Sequence, residues 1–348
     1  MKQKLSFLSG LDISEKALLS LGIVLVLGIS VSAFVSSENQ NDNSESLEVA
    51  WPDYGPNLVM WPIENNEVSS ESVNVEPRKV SEGQQMKLLF SDKVDIATTD
   101  VAGLKRLYEQ GEMEDYTVIG GYYIEKAVNG SSVSTIYVDR NSSMEEPEDL
   151  RGKTIALGEP GSTSNLLFKE VMAEKYGVQP DEYSIVNKPT GAEPLLEKGD
   201  VDGALIWAQF VVNDEFNQRN KKLVDFGADF KEIHGAMPSN GVFIAKKSSV
   251  GENPEDYRQA MKLFKKSHDW SRQNLESIAA DWANKGFLDL NQEDWLEVKQ
   301  YNAHWHPLTE ERLNANTKVW ELMEKYGEGD EEVPDFRVIY RDLEYLEE

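Results

Sequence analysis

The chain has 348 residues, enough for two lobes with separate cores, and its 62 Asp and Glu against 35 Lys and Arg give a formal net charge of −27. That charge would repel a phosphate backbone and so excludes nucleic acid as a partner, while dense carboxylates suit a saline habitat where salt screens their repulsion. The absence of cysteine removes disulfides, thiol catalysis, Cys-ligated zinc and a lipid-bearing cysteine tether.

Taken in order, residues 1–35 read as a signal peptide or an N-terminal membrane anchor. Lys2, Lys4 and Lys16 precede the uncharged run Ala17–Val35. Val31-Ser32-Ala33 offers a cleavage site after Ala33, and the run is also long enough to span a bilayer uncut. Either outcome puts the rest of the chain outside the cytoplasm. Residues 36–46 are polar and low in complexity, a flexible linker.

Leu47–Ala50 alternates as a first strand and runs into the turn Trp51–Pro56. Ligands of open α/β sheets sit beyond the carboxyl ends of strands, so Trp51 and Tyr54 are candidates to line a cleft; the alternative is a pair of core aromatics beside a Pro-rich turn. Val73–Val75 reads as a second strand, Gln84–Phe90 as a helix, and Val94–Thr98 as a third strand ending in Thr98-Thr99-Asp100. The hydroxyls of Thr98 and Thr99 could donate to a ligand, or Thr99 or Asp100 could cap the helix Val101–Gln110. Tyr116–Gly121 and Val133–Val138 are two β-rich runs on either side of Tyr122-Tyr123.

The most informative stretch is Asp149–Phe210. Thr154–Leu157 has strand character, Gly158–Ser164 is a Gly-bounded turn, and Asn165–Tyr176 has helical period, with Leu166, Leu167, Val171 and Met172 on one face. The turn leaves backbone N–H groups and the hydroxyls of Ser162, Thr163 and Ser164 at a helix N-terminus. Such an end can seat an anionic or carbonyl-bearing ligand, or the serines can simply cap the helix. A second unit follows: strand edge Ile185-Val186, turn Asn187–Gly191, helix Glu193–Lys198, and a strand within Gly199–Trp207. In so acidic a protein an anion needs local positive potential, which the helix end, Lys188 or Arg140 could supply. Trp51, Tyr54 and Trp207 could stack on a flat ring or wall off an alkyl chain.

A helix is predicted up to Asn220, then Leu223–Phe226, a turn holding His234, Pro238, Ser239 and Asn240, and an apolar strand Gly241–Ala245. Beyond Pro254 the sequence predicts the helices Tyr257–Gln273, Leu275–Lys285, Gln292–Tyr301 and Thr309–Tyr326. Trp270, Trp282, Trp295 and Trp320 mark their buried faces. None of the four His sits in a triad or metalloprotease spacing, and His304-Trp305-His306 lacks a third metal ligand. No catalytic residue, metal or cofactor is predicted.

Pro147–Ala156 (PEDLRGKTIA), followed by Gly161-Ser162-Thr163-Ser164 and then Leu195–Ala204 (LLEKGDVDGA), resembles the second lobe of substrate-binding proteins of the nitrate/sulfonate/taurine and thiamine-precursor type. A shorter form of the same phrase recurs at Met86–Thr99, and the resemblance covers Leu47 to Phe336. It implies an α/β fold of two Rossmann-like lobes joined by two hinge crossings, the type II periplasmic binding protein arrangement. Lobe 1 would be 47–135 plus 241–348, with a C-terminal helical region, and lobe 2 would be 136–240. The first hinge strand is expected near Ser134–Asp139 and the return crossing at Gly241–Ala245. The resemblance further implies a monomeric extracytoplasmic binder that delivers a small molecule to an ABC permease with its ATPase. Its ligand would be a sulfonate or taurine, a nitrate-like anion, or a pyrimidine thiamine precursor. One alternative is a membrane-anchored sensor. Another is an enzyme on the same scaffold, the fungal thiamine-pyrimidine synthase, whose Cys-rich motif is missing here.

Overall fold

The structure, a computed structural model, describes residues 46–52, 59–81, 83–126, 134–188, 192–206, 214–284, 302–306, 308–329 and 334–343. Ala17–Val35, Tyr54, Trp207 and the helix expected at Gln292–Tyr301 lie outside them. Among the described residues the strands are β1 (Ser46–Pro52), β2 (Asn74–Val80), β3 (Ile96–Thr99), β4 (Tyr116–Lys126), β5 (Thr135–Asp139), β6 (Thr154–Leu157), β7 (Ser184–Asn187), β8 (Gly203–Leu205), β9 (Asn220–Asp225), β10 (Gly241–Lys246) and β11 (Asn302–His306). The helices are α1 (Met60–Glu64), α2 (Gln85–Phe90), α3 (Val101–Glu109), α4 (Thr163–Glu174), α5 (Glu193–Lys198), α6 (Asp214–Arg219), α7 (Phe226–His234), α8 (Lys247–Glu252), α9 (Pro254–Gln273), α10 (Leu275–Asn284) and α11 (Glu310–Lys325).

Two mixed sheets result, ordered β11-β4-β10-β3-β1-β2 and β7-β6-β8-β5-β9, each the centre of one lobe. In the first, β1 pairs in parallel with β2 and β3, and β10 runs antiparallel between β3 and β4. In the second, β6 is parallel to β7 and β8, and β5 lies antiparallel between β8 and β9. Each lobe's antiparallel insert, β5 or β10, is the first strand the chain forms after crossing from the other. The chain therefore passes between lobes twice, after β4 and again between α7 and β10.

Sheets covered on both faces need apolar residues on both sides of the strand. In β10, Val242 and Ile244 join one core while Phe243 and Ala245 join the other, and all four are fully buried. The same alternation puts Val49 and Trp51 in one core and Ala50 in the other.

Four expectations are corrected. The first strand continues through Trp51-Pro52, and the second begins at Asn74 and runs to Val80. Tyr122-Tyr123 interrupts nothing, because β4 is one strand of 11 residues. A helix, α7, occupies Phe226–His234 where a turn was expected; Asp225 caps it by accepting the Ala228 N–H at 3.0 Å, and left-handed Gly235 (φ 84°) ends it.

The return crossing is fastened to α11. Ser239 N–H donates to Asn316 Oδ1 at 2.8 Å, and Asn316 Nδ2 donates to Ser239 Oγ at 3.2 Å, with both residues buried. Farther along α11, fully buried Trp320 donates its indole N–H to the Val101 carbonyl of α3 at 2.9 Å. The helix also packs along α4 of the second lobe. The C-terminal helical region thus touches both lobes.

Candidate functional site

Strand register puts several of the expected residues at one end of the first sheet. Ala50 pairs with Ala97, so Trp51 stands beside Thr98; Thr99 pairs with Val242, and Tyr122 with Gly241. Thr98 is buried and Thr99 half-buried. Trp51 is 6% exposed, its ring 5.6 Å from Tyr122 and 5.9 Å from Phe243. Tyr122 fits so closely over Gly241 that a Cβ there would come within 2.6 Å of the ring. Burial, and secondarily the charge of Asp100, hold the Tyr122 phenol well above its ordinary pKa, so it stays protonated.

The second lobe answers with the turn after β6. Ser162 caps α4, accepting the Asn165 N–H at 3.4 Å, and its hydroxyl lies 3.4 Å from that of Ser164. Gly158 makes room for both hydroxyls: a Cβ there would meet Ser162 Oγ at 2.7 Å and Ser164 Oγ at 2.8 Å. Asn165 is 1% exposed; its Nδ2 donates to the Gly158 carbonyl at 3.3 Å, and its buried Oδ1 has no partner.

The two strand ends face each other, and one carboxylate joins them. Asp100 caps α3 through Gly103 N–H at 2.6 Å. Its second oxygen accepts the Thr163 hydroxyl at 3.1 Å and the Thr163 N–H at 3.4 Å. In return, the Thr163 hydroxyl oxygen accepts the Ala102 N–H of α3 at 3.3 Å. Each helix N-terminus is therefore capped partly by the other lobe. Arg106 of α3 reaches the same turn, donating to the Pro160 carbonyl at 3.2 Å. Sequence reasoning held Asp100 only as a cap and did not single out Tyr122 or Asn165. The signal for Asp100 was its place directly after the Thr-Thr strand end.

Of the remaining expected residues, Lys188 is exposed, with its N–H on the Leu157 carbonyl at the end of β6 at 2.8 Å. Arg140 lies away from the seat: its guanidinium donates to the carbonyls of Gln218 at 3.1 Å, Asn217 at 2.5 Å and Asn220 at 3.0 Å. Among the described residues no His, Cys, Asp and Glu group could hold a metal ion, and no helix is long and apolar enough to cross a membrane.

A second contact between the lobes is built on Glu170 of α4, whose side chain is 3% exposed. It accepts from Lys325 Nζ at 2.6 Å and from the Tyr326 hydroxyl at 3.0 Å, with His234 Nε2 at 3.3 Å. Lys169 adds a pair with Glu328 at 3.0 Å. A pocket of about 390 Å³ opens nearby, lined by His234 and Lys318 among others. Its charges are already spent on each other: Lys318 pairs with Glu321 at 3.1 Å and Arg337 with Asp335 at 2.9 Å.

Known proteins share this architecture. The periplasmic aliphatic sulphonate binding protein SsuA of Escherichia coli superposes with a TM-score of 0.68 at 16% identity, covering 86% of this chain and 93% of that one. The alkanesulfonate-binding protein SsuA of Xanthomonas axonopodis pv. citri, bound to MOPS, gives 0.66 at 16% identity, covering 85% and 98%. The ligand-binding component of an ABC-type import system from Staphylococcus aureus, with zinc bound, gives 0.62 at 11% identity, covering 87% and 99%. By sequence, a Bacillus subtilis protein named for aliphatic sulfonate binding is 24% identical over 226 residues, which is 65% of this chain and 62% of that protein. The taurine-binding periplasmic protein of Escherichia coli is 30% identical over 126 residues, 36% of each chain. These alignments thus span less than two thirds of either relative, and both relatives are named as binding proteins. The family described as NMT1/THI5 like matches residues 73–277, more than half of the chain, and the protein belongs to that family.

Proposed function

We propose that this protein is the extracytoplasmic solute-binding component of an ABC importer, holding a small polar or anionic guest between its lobes without chemically changing it. Lobe 1 is 47–135 with 241–348, and lobe 2 is 136–240. Trp51, Thr98 and Thr99 line one side of the seat and Ser162, Thr163, Ser164 and Lys188 the other, with Tyr54 and Trp207 assigned to it from sequence alone. The guest is a sulfonate or taurine, a nitrate-like anion, or a pyrimidine thiamine precursor.

The observation that carries this reading is the meeting of two helix N-termini, from two different sheets, at Asp100 and Thr163. Strand ends in open α/β sheets are where ligands bind, and lobes joined by two crossings can close over one. Relatives named for binding sulfonates and taurine support the same reading. The permease and its ATPase are the partners such a protein serves.

A thermal-shift screen of taurine, alkanesulfonates, nitrate, bicarbonate and aminopyrimidines, followed by calorimetry, tests it. At least one compound should raise the melting temperature through mass action. Replacing Ser162 and Thr163 together by Leu should abolish that binding while the circular dichroism spectrum is unchanged. Retained affinity would reduce the hydroxyl cluster to a helix cap.

A further inference from the structure

We infer that Asp100 makes this seat selective for a guest presenting a positively charged or hydrogen-bond-donating nitrogen, an inference that rests on the solute-binding reading above. A bare anion would be held by free backbone N–H groups and the partial positive charge of the helix ends. Here the chain's own oxygens already take four of those donors. Ala102 N–H is on Thr163 Oγ1, Gly103 and Thr163 N–H are on the Asp100 carboxylate, and Asn165 N–H is on Ser162 Oγ. Two helix ends of about half an elementary charge each are matched by one full negative charge.

Beside the hydroxyls of Thr98, Thr99, Ser162 and Ser164, acceptor capacity also remains. A carboxylate offers roughly four lone-pair sites, and Asp100 receives three hydrogen bonds, one on Oδ1 and two on Oδ2. Asn165 Oδ1, in the turn of the facing lobe, is buried and unpaired. Its orientation is fixed, because the Nδ2 side must face the Gly158 carbonyl. An unpaired buried acceptor is costly unless something donates to it. An ammonium or an aromatic amino group would satisfy it and use the charge of Asp100. Arg106, which could favour an anion, is turned to the Pro160 carbonyl at 3.2 Å.

Calorimetry on the full chain with matched probes tests this: taurine against ethanesulfonate, and an aminopyrimidine against the same ring without its amino group. The wild type should bind the amino member of at least one pair about tenfold more tightly, as expected for a hydrogen bond to a charged group. Asp100→Asn keeps a good helix cap, so its fold and melting temperature should hold while that preference shrinks to about threefold or less. Equal or tighter binding of the amine-free members by the wild type, or an unchanged preference in Asp100→Asn, overturns the inference and leaves the solute-binding reading standing. No binding of any probe, in these pairs or in the wider screen, overturns both.

Discussion

Asp100 and Glu170 are both carboxylates that tie one lobe to the other, and they are held in different ways. Glu170 is buried and accepts from Lys325 at 2.6 Å and Tyr326 at 3.0 Å, with His234 lying 3.3 Å away. Burial, then the charge of Glu170, keeps the Tyr326 phenol well above its ordinary pKa, so that it remains a donor. Although burial opposes it, hydrogen bonding to Glu170 and Glu174 raises the Lys325 pKa, and the ammonium stays charged. Asp100 lies in a part-buried seam, and its bonds to Thr163 are 3.1 and 3.4 Å long. The tighter contact suits a permanent fastening; on the solute-binding proposal, the looser one is exchanged for a guest.

The largest expected effect comes from the tighter contact. Lys325→Met leaves Glu170 buried without its cation, and because the Lys325 side chain is 41% exposed the cost should be about 2 kcal/mol of unfolding free energy, measured by urea titration. A loss below about 1 kcal/mol would make the two contacts energetically alike. Thr163→Val keeps the shape but removes a hydroxyl that both donates and accepts, so stability should fall by no more than about 1 kcal/mol. The same variant should give a larger radius of gyration by small-angle X-ray scattering without ligand; an unchanged radius would mean the clasp does not hold the lobes together. The smallest effect is the pH response of His234. Burial lowers its pKa from 6.5 and outweighs the pull of Glu170, so the unfolded chain takes up the proton first. Stability from this group is complete above about pH 6.5 and is lost as pH falls toward the lower folded value. His234→Gln should flatten the urea midpoint across that window, and an equally steep profile would assign the slope elsewhere.

Local chemistry made the second lobe's turn readable. Gly161 at φ 70° and the cap at Ser162 follow from neighbours in sequence. The helix starts at Thr163 and not Asn165 because its first turn is polar and adds nothing to an apolar period. The helix Phe226–His234 did carry a signal, Phe226 and Phe230 one turn apart, but Gly227 and the charged residues between them obscured it. The glycines of β4 read as a break because their reason is distant: Gly121 lies against the Gly241 carbonyl, Ser239 Oγ and Leu308. The same holds for the clasp, whose two residues are 63 positions apart. No pattern along the chain links a strand-end aspartate to a threonine on the other lobe.

The pair of hydrogen bonds between Ser239 and Asn316 has a mechanical consequence. From Asn316, α11 runs on to Lys325, which grips the second lobe, a span of about 13 Å at the rise of an α-helix. Trp320, between them, is keyed into the first lobe. Any swing of one half against the other must therefore twist or tilt this rod. On the solute-binding proposal, closure at the seat would therefore be felt at the Lys325 contact.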